Sequence, residues 1–72
     1  MDDREKDLDR VRNSIGMKVV KRRSGALYQI ELFDEVSERV ILVPLHKGGR
    51  TTKKWFRHLF IDYRAADEAP GP

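Results

Sequence analysis

The most apolar stretch of this chain is RVILVPL at positions 39–45, and it limits what the chain can fold into. Four apolar residues stand together there, from Val40 to Val43, so we expect a β-strand that is central in a sheet or buried on both faces. Pro44 has no backbone N–H, which places the end of this strand at an edge or a bend. No apolar run approaches the ~20 residues that span a bilayer, so we expect no membrane partner.

Two further β-rich runs precede this strand and are separated from it by short turns. MKVVKRR at 17–23 leads into a Ser-Gly turn, and ALYQIELF at 26–33 alternates between two faces. Alternation places Tyr28 and Leu32 on one face and Phe33 on the other, so at most one of the two aromatic residues is expected in the core. Three strands joined by tight turns predict an antiparallel meander.

The N-terminal residues 2–15 have the spacing of a helix. Leu8, Val11 and Ile15 fall three and four residues apart and form one narrow apolar stripe, and Gly16 follows as a stop signal. This stripe is too narrow for a monomer core and wide enough for a partner groove. We therefore expect these three residues to bind a partner, and a homodimer through this helix is one form of that expectation.

A second helix is expected at residues 53–63, with Thr51 or Thr52 as its N-cap. Its apolar side chains share one arc and its cations share the other. Two alternatives stay open: residues 50–54 as a fourth short strand, and residues 61–63 as a closing strand. The apolar arc consists of Trp55, Phe56, Leu59, Phe60 and Tyr63.

Composition bounds the rest of the fold. In a chain of 72 residues, charged residues make up 38% and apolar residues 39%, which allows one domain with a thin core. The expected organisation is a charged helix at 1–15, a barrel domain at 16–65 and a disordered tail at 66–72. The fold class is mainly β (α+β), a small barrel or antiparallel meander with an N-terminal helix and a short amphipathic C-terminal helix.

Several functional classes are excluded. The chain has no cysteine, which excludes disulfides, thiol nucleophiles and cysteine-based zinc sites. His46 and His58 alone make a poor metal site, so no metal and no cofactor are expected. KGGRTT lacks the spacing of a phosphate-binding P-loop, and no serine has a nucleophile-elbow context, so we expect no enzyme. The charged N-terminus MDDREKDLDR is unlike a signal peptide, which favours a cytoplasmic protein.

Positive charge is concentrated rather than spread. Residues 46–60 hold five basic residues and no acidic residue, and a second basic cluster follows the first strand. Such clusters attract phosphates, and an exposed tryptophan among them can stack on a base. The candidate nucleic-acid-binding residues are Lys21, Arg22, Arg23, Lys47, Arg50, Lys53, Lys54, Trp55 and Arg57.

The stretch from Ile15 to Ala65 also resembles small SH3-like β-barrel proteins of phage and mobile elements. The resemblance rests on GMKVV at 16–20, SGALYQI at 24–30, GGR at 48–50, and a closing F-x-x-x-F-x-x-Y that ends at Tyr63. It implies a module that binds nucleic acid or protein partners.

Two functional hypotheses follow from these patterns. The first is a non-enzymatic accessory protein that binds DNA or RNA through its basic loop and helix. The alternative is a protein-interaction module, such as a mobile-element regulator or inhibitor that docks on an acidic host protein surface. Electrostatic steering toward an acidic partner would use the same basic face.

Overall fold

The computed structural model describes residues 3–66, and it confirms the predicted mainly β fold. One curled antiparallel sheet has the strand order β4-β3-β2-β1-β5 and forms half of a barrel. The fold also has two helices. In chain order, one precedes the first strand and the other lies between the fourth and fifth strands. The elements are α1 (Asp3–Arg12), β1 (Lys18–Lys21), β2 (Leu27–Asp34), β3 (Arg39–Pro44), β4 (Thr52–Trp55), α2 (Phe56–Asp62) and β5 (Tyr63–Ala65).

The first four strands form a meander, and α2 then carries the chain across to the opposite edge of the sheet. There β5 pairs with β1, with Val19 opposite Ala65 and Lys21 opposite Tyr63. Because successive strands alternate in direction, the β1–β2 turn and the β3–β4 loop lie at the same end of the sheet.

The core lies on the inner face of the curled sheet, and α1 is part of it. Val11 is fully buried and Leu8 packs against the core, whereas Ile15 is 45% exposed. The expectation that this stripe is too narrow for the chain's own core was therefore wrong for Val11 and Leu8. The core residues are Val11, Val19, Tyr28, Ile30, Val40, Leu42, Phe56, Leu59 and Tyr63.

A β-bulge in β2 changes which side chains face the core. The pairing with β3 shifts register between Ile30 and Leu32. Beyond the bulge Leu32 is 46% exposed, while Phe33 packs against the core. The extra residue reverses the alternation, so Tyr28 and Phe33 both face inward. The premise that the two rings point to opposite faces was therefore wrong, whereas the prediction that at most one of them is a core residue holds: Tyr28 belongs to the core and Phe33 is partly buried against it.

The strand β3 is buried on its inner face alone. Val40 and Leu42 are fully buried, whereas Ile41 and Val43 are half-buried on the outer face. Pro44 is the last residue of the strand, at the bend into the following loop. Of the two alternatives expected for this strand, an interior position in the sheet is confirmed, because β3 lies between β4 and β2, whereas burial on both faces holds for the inner face alone.

The helix predicted at 53–63 does not include residues 53–55, and the alternative of a fourth short strand, left open for residues 50–54, is confirmed. Residues 52–55 form β4, because pairing with β3 satisfies their backbone groups; Trp55 lies opposite Arg39. The helix begins at Phe56, and its N-cap is Trp55, which makes no side-chain capping bond. Neither Thr51 nor Thr52 caps the helix. At the other end, a closing strand is present, but β5 begins at Tyr63, and residues 61 and 62 of the predicted strand belong to α2.

The two ends of the described chain also differ from expectation. The helix α1 ends at Arg12 rather than at residue 15, and a turn at 13–16 follows it. Gly16 has a φ of 89°, a conformation that favours glycine. At the C-terminal end, the Ala66 N–H donates to the Lys18 carbonyl at 2.9 Å, so hydrogen bonding with β1 extends one residue beyond the domain boundary predicted at residue 65. The remainder of the predicted tail lies outside the described residues.

Candidate anion-binding site

The fold brings together cations that are more than thirty residues apart in the sequence. They surround an open cavity of about 300 Å³ at the place where the end of β1, the β1–β2 turn, β4 and the end of α2 meet. Four cationic side chains and one carboxylate line it, so the cavity carries a net positive charge. We call it the cationic cavity; its lining residues are Lys21, Arg22, Arg23, Lys54, Ile61 and Asp62.

Strand alternation puts Lys54 into this cavity. Lys54 lies opposite Val40, a core residue, so its side chain projects from the inner face of β4. The side chain is 29% exposed there. Lys53 lies opposite Ile41 and points to the outer face. The helical interpretation had placed both lysines on one surface, and the strand separates them.

The carboxylate of Asp62 is the anionic partner inside the cavity. It forms an ion pair with the Lys54 ammonium, and the hydrogen bond from Lys54 is the main cause that lowers the pKa of Asp62. The charges of Lys54, His58 and Lys21 lower this pKa further, while desolvation opposes them. Asp62 therefore occupies a position where a negative charge is favoured.

The β1–β2 turn is fastened to the end of α2 beside this carboxylate. The backbone N–H of Arg22 donates to the Asp62 carbonyl at 2.8 Å. The Arg22 guanidinium also donates to the Phe60 carbonyl, at 3.5 Å. Two arginines in a turn of fixed position can hold a phosphate or carboxylate through paired N–H groups, which a lysine cannot do.

The β3–β4 loop contributes two exposed cations, Lys47 and Arg50, at the same end of the sheet. The loop packs tightly on β2 and β3: a Cβ at Gly49 would lie 2.4 Å from the Cβ of Pro44, so the position requires glycine. The Gly49 N–H donates to the His46 carbonyl at 3.4 Å. Gly49 therefore serves the packing of the loop.

The three remaining candidates lie away from the cavity lining. Lys53 and Trp55 are on the outer face of β4, and Arg57 is exposed on α2. Trp55 is 38% exposed, and its ring meets the His58 ring edge-on, with 5.0 Å between the ring centroids. The nine predicted residues thus divide into a cavity group, a loop group and a group on β4 and α2.

Sequence reasoning missed Asp62. Its ion pair with Lys54 requires a strand and a helix to meet at a particular angle, and spacing along the chain gives no sign of that.

Among residues 3–66, no cluster of three or more His, Asp or Glu side chains could hold a metal ion. In the same part of the chain, no helix is long and apolar enough to cross a membrane.

Comparisons with protein-family models, with curated proteins and with solved structures give no match. The cavity and the surfaces around it are therefore the basis for a functional assignment.

Proposed function

We propose that this chain is a small, non-enzymatic nucleic-acid-binding accessory protein of the cytoplasm, and that its cationic cavity binds backbone phosphates. The observation that carries the proposal is the convergence of Lys21, Arg22, Arg23 and Lys54 on one cavity with a single carboxylate. Folding like charges together costs free energy unless an anion compensates them, and Asp62 compensates one of the four. An incoming phosphate compensates more.

The surroundings of the cavity suit an extended polyanion better than a single small ion. The exposed Lys47 and Arg50 lie at the same end of the sheet as the β1–β2 turn, and the whole chain has a net charge of +3. A strand of nucleic acid offers a row of phosphates to such a series of cations, and release of its counterions drives binding. The resemblance to small SH3-like barrels also supports this proposal, because such barrels are mostly binding modules.

The binding is expected to be tolerant of sequence. Phosphate contacts fix position and supply affinity, whereas base contacts supply sequence recognition. The cavity is lined by cations that match phosphate oxygens, and the one exposed indole, Trp55, lies on a different face. We therefore expect DNA and RNA of unrelated sequences to bind with similar affinity.

The test is fluorescence anisotropy of labelled single-stranded DNA, duplex DNA and RNA, titrated with the full chain at about 50 and about 200 mM salt. The parent is expected to bind in the micromolar range, and its affinity to fall by roughly tenfold between the two salt concentrations. Arg22→Ala/Arg23→Ala removes two cavity cations and should abolish most of the binding. Lys6→Ala/Lys18→Ala is the matched control, since it removes two exposed cations outside the cavity and should bind like the parent.

Two outcomes would overturn the proposal. One is the absence of binding to all three nucleic acids at the lower salt concentration. The other is an equal loss of affinity in the cavity variant and the control, because that result would show a dependence on total charge alone. Circular dichroism of both variants verifies that each retains the parent fold.

A further inference from the structure

The outer face of the sheet, opposite to the core, carries a row of apolar side chains. Leu32 lies directly opposite Ile41, and Val20 lies directly opposite Leu27. Val43 extends the row next to Ile41 along β3. Side chains at such paired positions lie within contact distance, so Val20 with Leu27 and Leu32 with Ile41 form two apolar pairs, and Gln29, opposite Val43, lies between them. We call these five residues the outer apolar row.

Neither helix of the described residues 3–66 packs on this row. The helices supply Val11, Phe56 and Leu59 to the core, so both pack on the inner face of the sheet. None of the five residues of the outer apolar row belongs to the core or packs against it. Leu32 is 46% exposed, and the other four are half-buried. A row of aliphatic side chains left at the surface is typical of a binding site for another molecule.

A depression at one side of the row can receive an anchoring side chain. It has a volume of about 300 Å³, and Ile15, Gln29 and Val43 are among its lining residues. Ile15, which the sequence assigned to partner binding, is 45% exposed there. The depression therefore joins the turn after α1 to the outer face of the sheet.

The charges around the row are mostly positive. Lys18 pairs with Gln29 across β1 and β2, Lys53 pairs with Ile41, and Arg39 pairs with Trp55, so all three cations flank the row. Two acids lie on the same face and leave the border with an excess of one positive charge: Asp34 lies opposite Arg39 and interacts electrostatically with Lys53, and Glu31 lines the depression. Glu31 is exposed at the bulge, and the Asp34 carboxylate accepts hydrogen bonds from the amides of Val36 and Ser37 in the next turn. A partner with carboxylates beside its apolar residues matches this border.

The chemistry of the row distinguishes between the possible occupants. Surfaces that stack bases use aromatic rings, and the centre of this one is aliphatic, which favours a protein over a nucleic acid. Two copies of the chain would bring convex face against convex face and cation against cation, which leaves little area in contact. We propose that the outer apolar row binds an amphipathic segment of a partner protein, with apolar side chains flanked by carboxylates.

The test is a selection from a library of random displayed peptides against the full immobilised chain, followed by titration of the enriched peptides as synthetic compounds. Enriched peptides are expected to combine aliphatic residues with Asp or Glu. Leu32→Asp should weaken their binding by about tenfold or more, because it puts a charge at the centre of the row. Val36→Asp is the matched control, since Val36 is 98% exposed in the β2–β3 turn and outside the row. Lys53→Glu tests the charged border independently of the apolar centre and should also weaken binding.

The proposal is overturned if no peptide is enriched, if enriched peptides carry no excess of carboxylates, or if they bind Leu32→Asp and Val36→Asp equally. Sedimentation equilibrium of the chain alone tests the second copy: a dimer that Leu32→Asp dissociates would assign the row to self-association instead. Nucleic-acid binding that Leu32→Asp abolishes would assign it to nucleic acid. The cavity variant Arg22→Ala/Arg23→Ala should leave peptide binding unchanged. Failure of the peptide-binding proposal can therefore be distinguished from failure of the proposed nucleic-acid binding.

Discussion

Asp62 places a negative charge where the proposed ligand would bring its own. Its carboxylate pairs with Lys54 and lines the same cavity as Arg22 and Arg23. A phosphate that enters the cavity must share Lys54 with this carboxylate or displace it. Asp62 is therefore expected to hold the affinity for phosphate below the value that the four cations alone would give.

This reasoning predicts that Asp62→Asn binds nucleic acid more tightly than the parent, by roughly threefold to tenfold, since the cavity gains one unit of net positive charge. The gain should be larger at low salt. Anisotropy titrations at two salt concentrations measure it. The control is Glu35→Gln, which makes the same change of charge at an exposed ion pair with Arg12, outside the cavity lining. Equal gains in both variants would mean that total charge, and not the position of Asp62, determines affinity.

A second carboxylate, Asp34, is expected to give stability a dependence on pH. The amides of Val36 and Ser37 donate to it at 3.0 and 3.4 Å, and the bond from Val36 is the main cause that lowers the pKa of Asp34 in the folded chain. Because the folded pKa lies below the ordinary one, the stabilisation is present above the ordinary pKa. It is lost as the pH falls through the folded value.

Asp34→Asn should therefore lower the melting temperature at pH 7, and its difference from the parent should shrink as the pH falls through the folded pKa of Asp34. Thermal unfolding of both proteins over a series of pH values measures this difference. A difference that stays constant down to the most acidic pH would show that the charge of Asp34 does not contribute.

At the scale of whole elements, α1 is joined to the sheet both by packing and by charge. Val11 is fully buried, and Arg4 and Arg12 form ion pairs with Glu38 and Glu35 in the β2–β3 turn. Exposed ion pairs of this kind contribute little stability, so the apolar contact should dominate. A charged helix with a narrow apolar stripe thus docks through one deeply buried residue.

Val11→Ala is expected to reduce the free energy of unfolding by about 1–3 kcal/mol, since it removes buried methyl groups and leaves a cavity. Ile15→Ala, at a position that is 45% exposed, should cost less than about 1 kcal/mol. Urea unfolding of the two variants and the parent gives both values. Similar small losses in the two variants would place α1 outside the cooperative core.

The elements also show how far the sequence predicts this molecule. Hydrophobic periodicity and turn signals suffice to predict the first three strands and a mainly β fold. They leave one alternative undecided, strand or helix at residues 50–54, and they miss the bulge in β2, because both depend on contacts between distant parts of the chain. Residues 52–55 pair with β3 instead of forming a helical turn, and the bulge near Leu32 reverses the alternation.

Both features also determine the surfaces. The basic residues of the cavity were recognised by their charge, but the strand at 52–55 decides that Lys54 enters it and that Lys53 does not. The bulge turns Leu32 outward and so creates the centre of the outer apolar row. Composition identifies the candidate residues, and long-range pairing decides which of them lie together.

In the molecule as a whole, the small core is shared among nearly all the elements. Its nine residues come from α1, α2 and four of the five strands, and β4 supplies none of them. Removal of any contributing element would expose the rest of the core to water. A thin core distributed in this way favours a single cooperative unit.

The strand β4 supplies no core residue, so its unfolding tests that cooperativity most directly. It also carries the single tryptophan of the chain, Trp55, as a fluorescence probe. The strand is held by its pairing with β3 and by the ion pair of Lys54 with Asp62 at the far end of α2. We expect urea unfolding followed by Trp55 fluorescence to coincide with unfolding followed by far-ultraviolet circular dichroism. If the fluorescence changed at a lower urea concentration, β4 would separate before the core, and the cationic cavity would lose Lys54 while the rest of the sheet stayed folded. Coincident transitions mean that the cavity persists as long as the fold does, because the same contacts hold both.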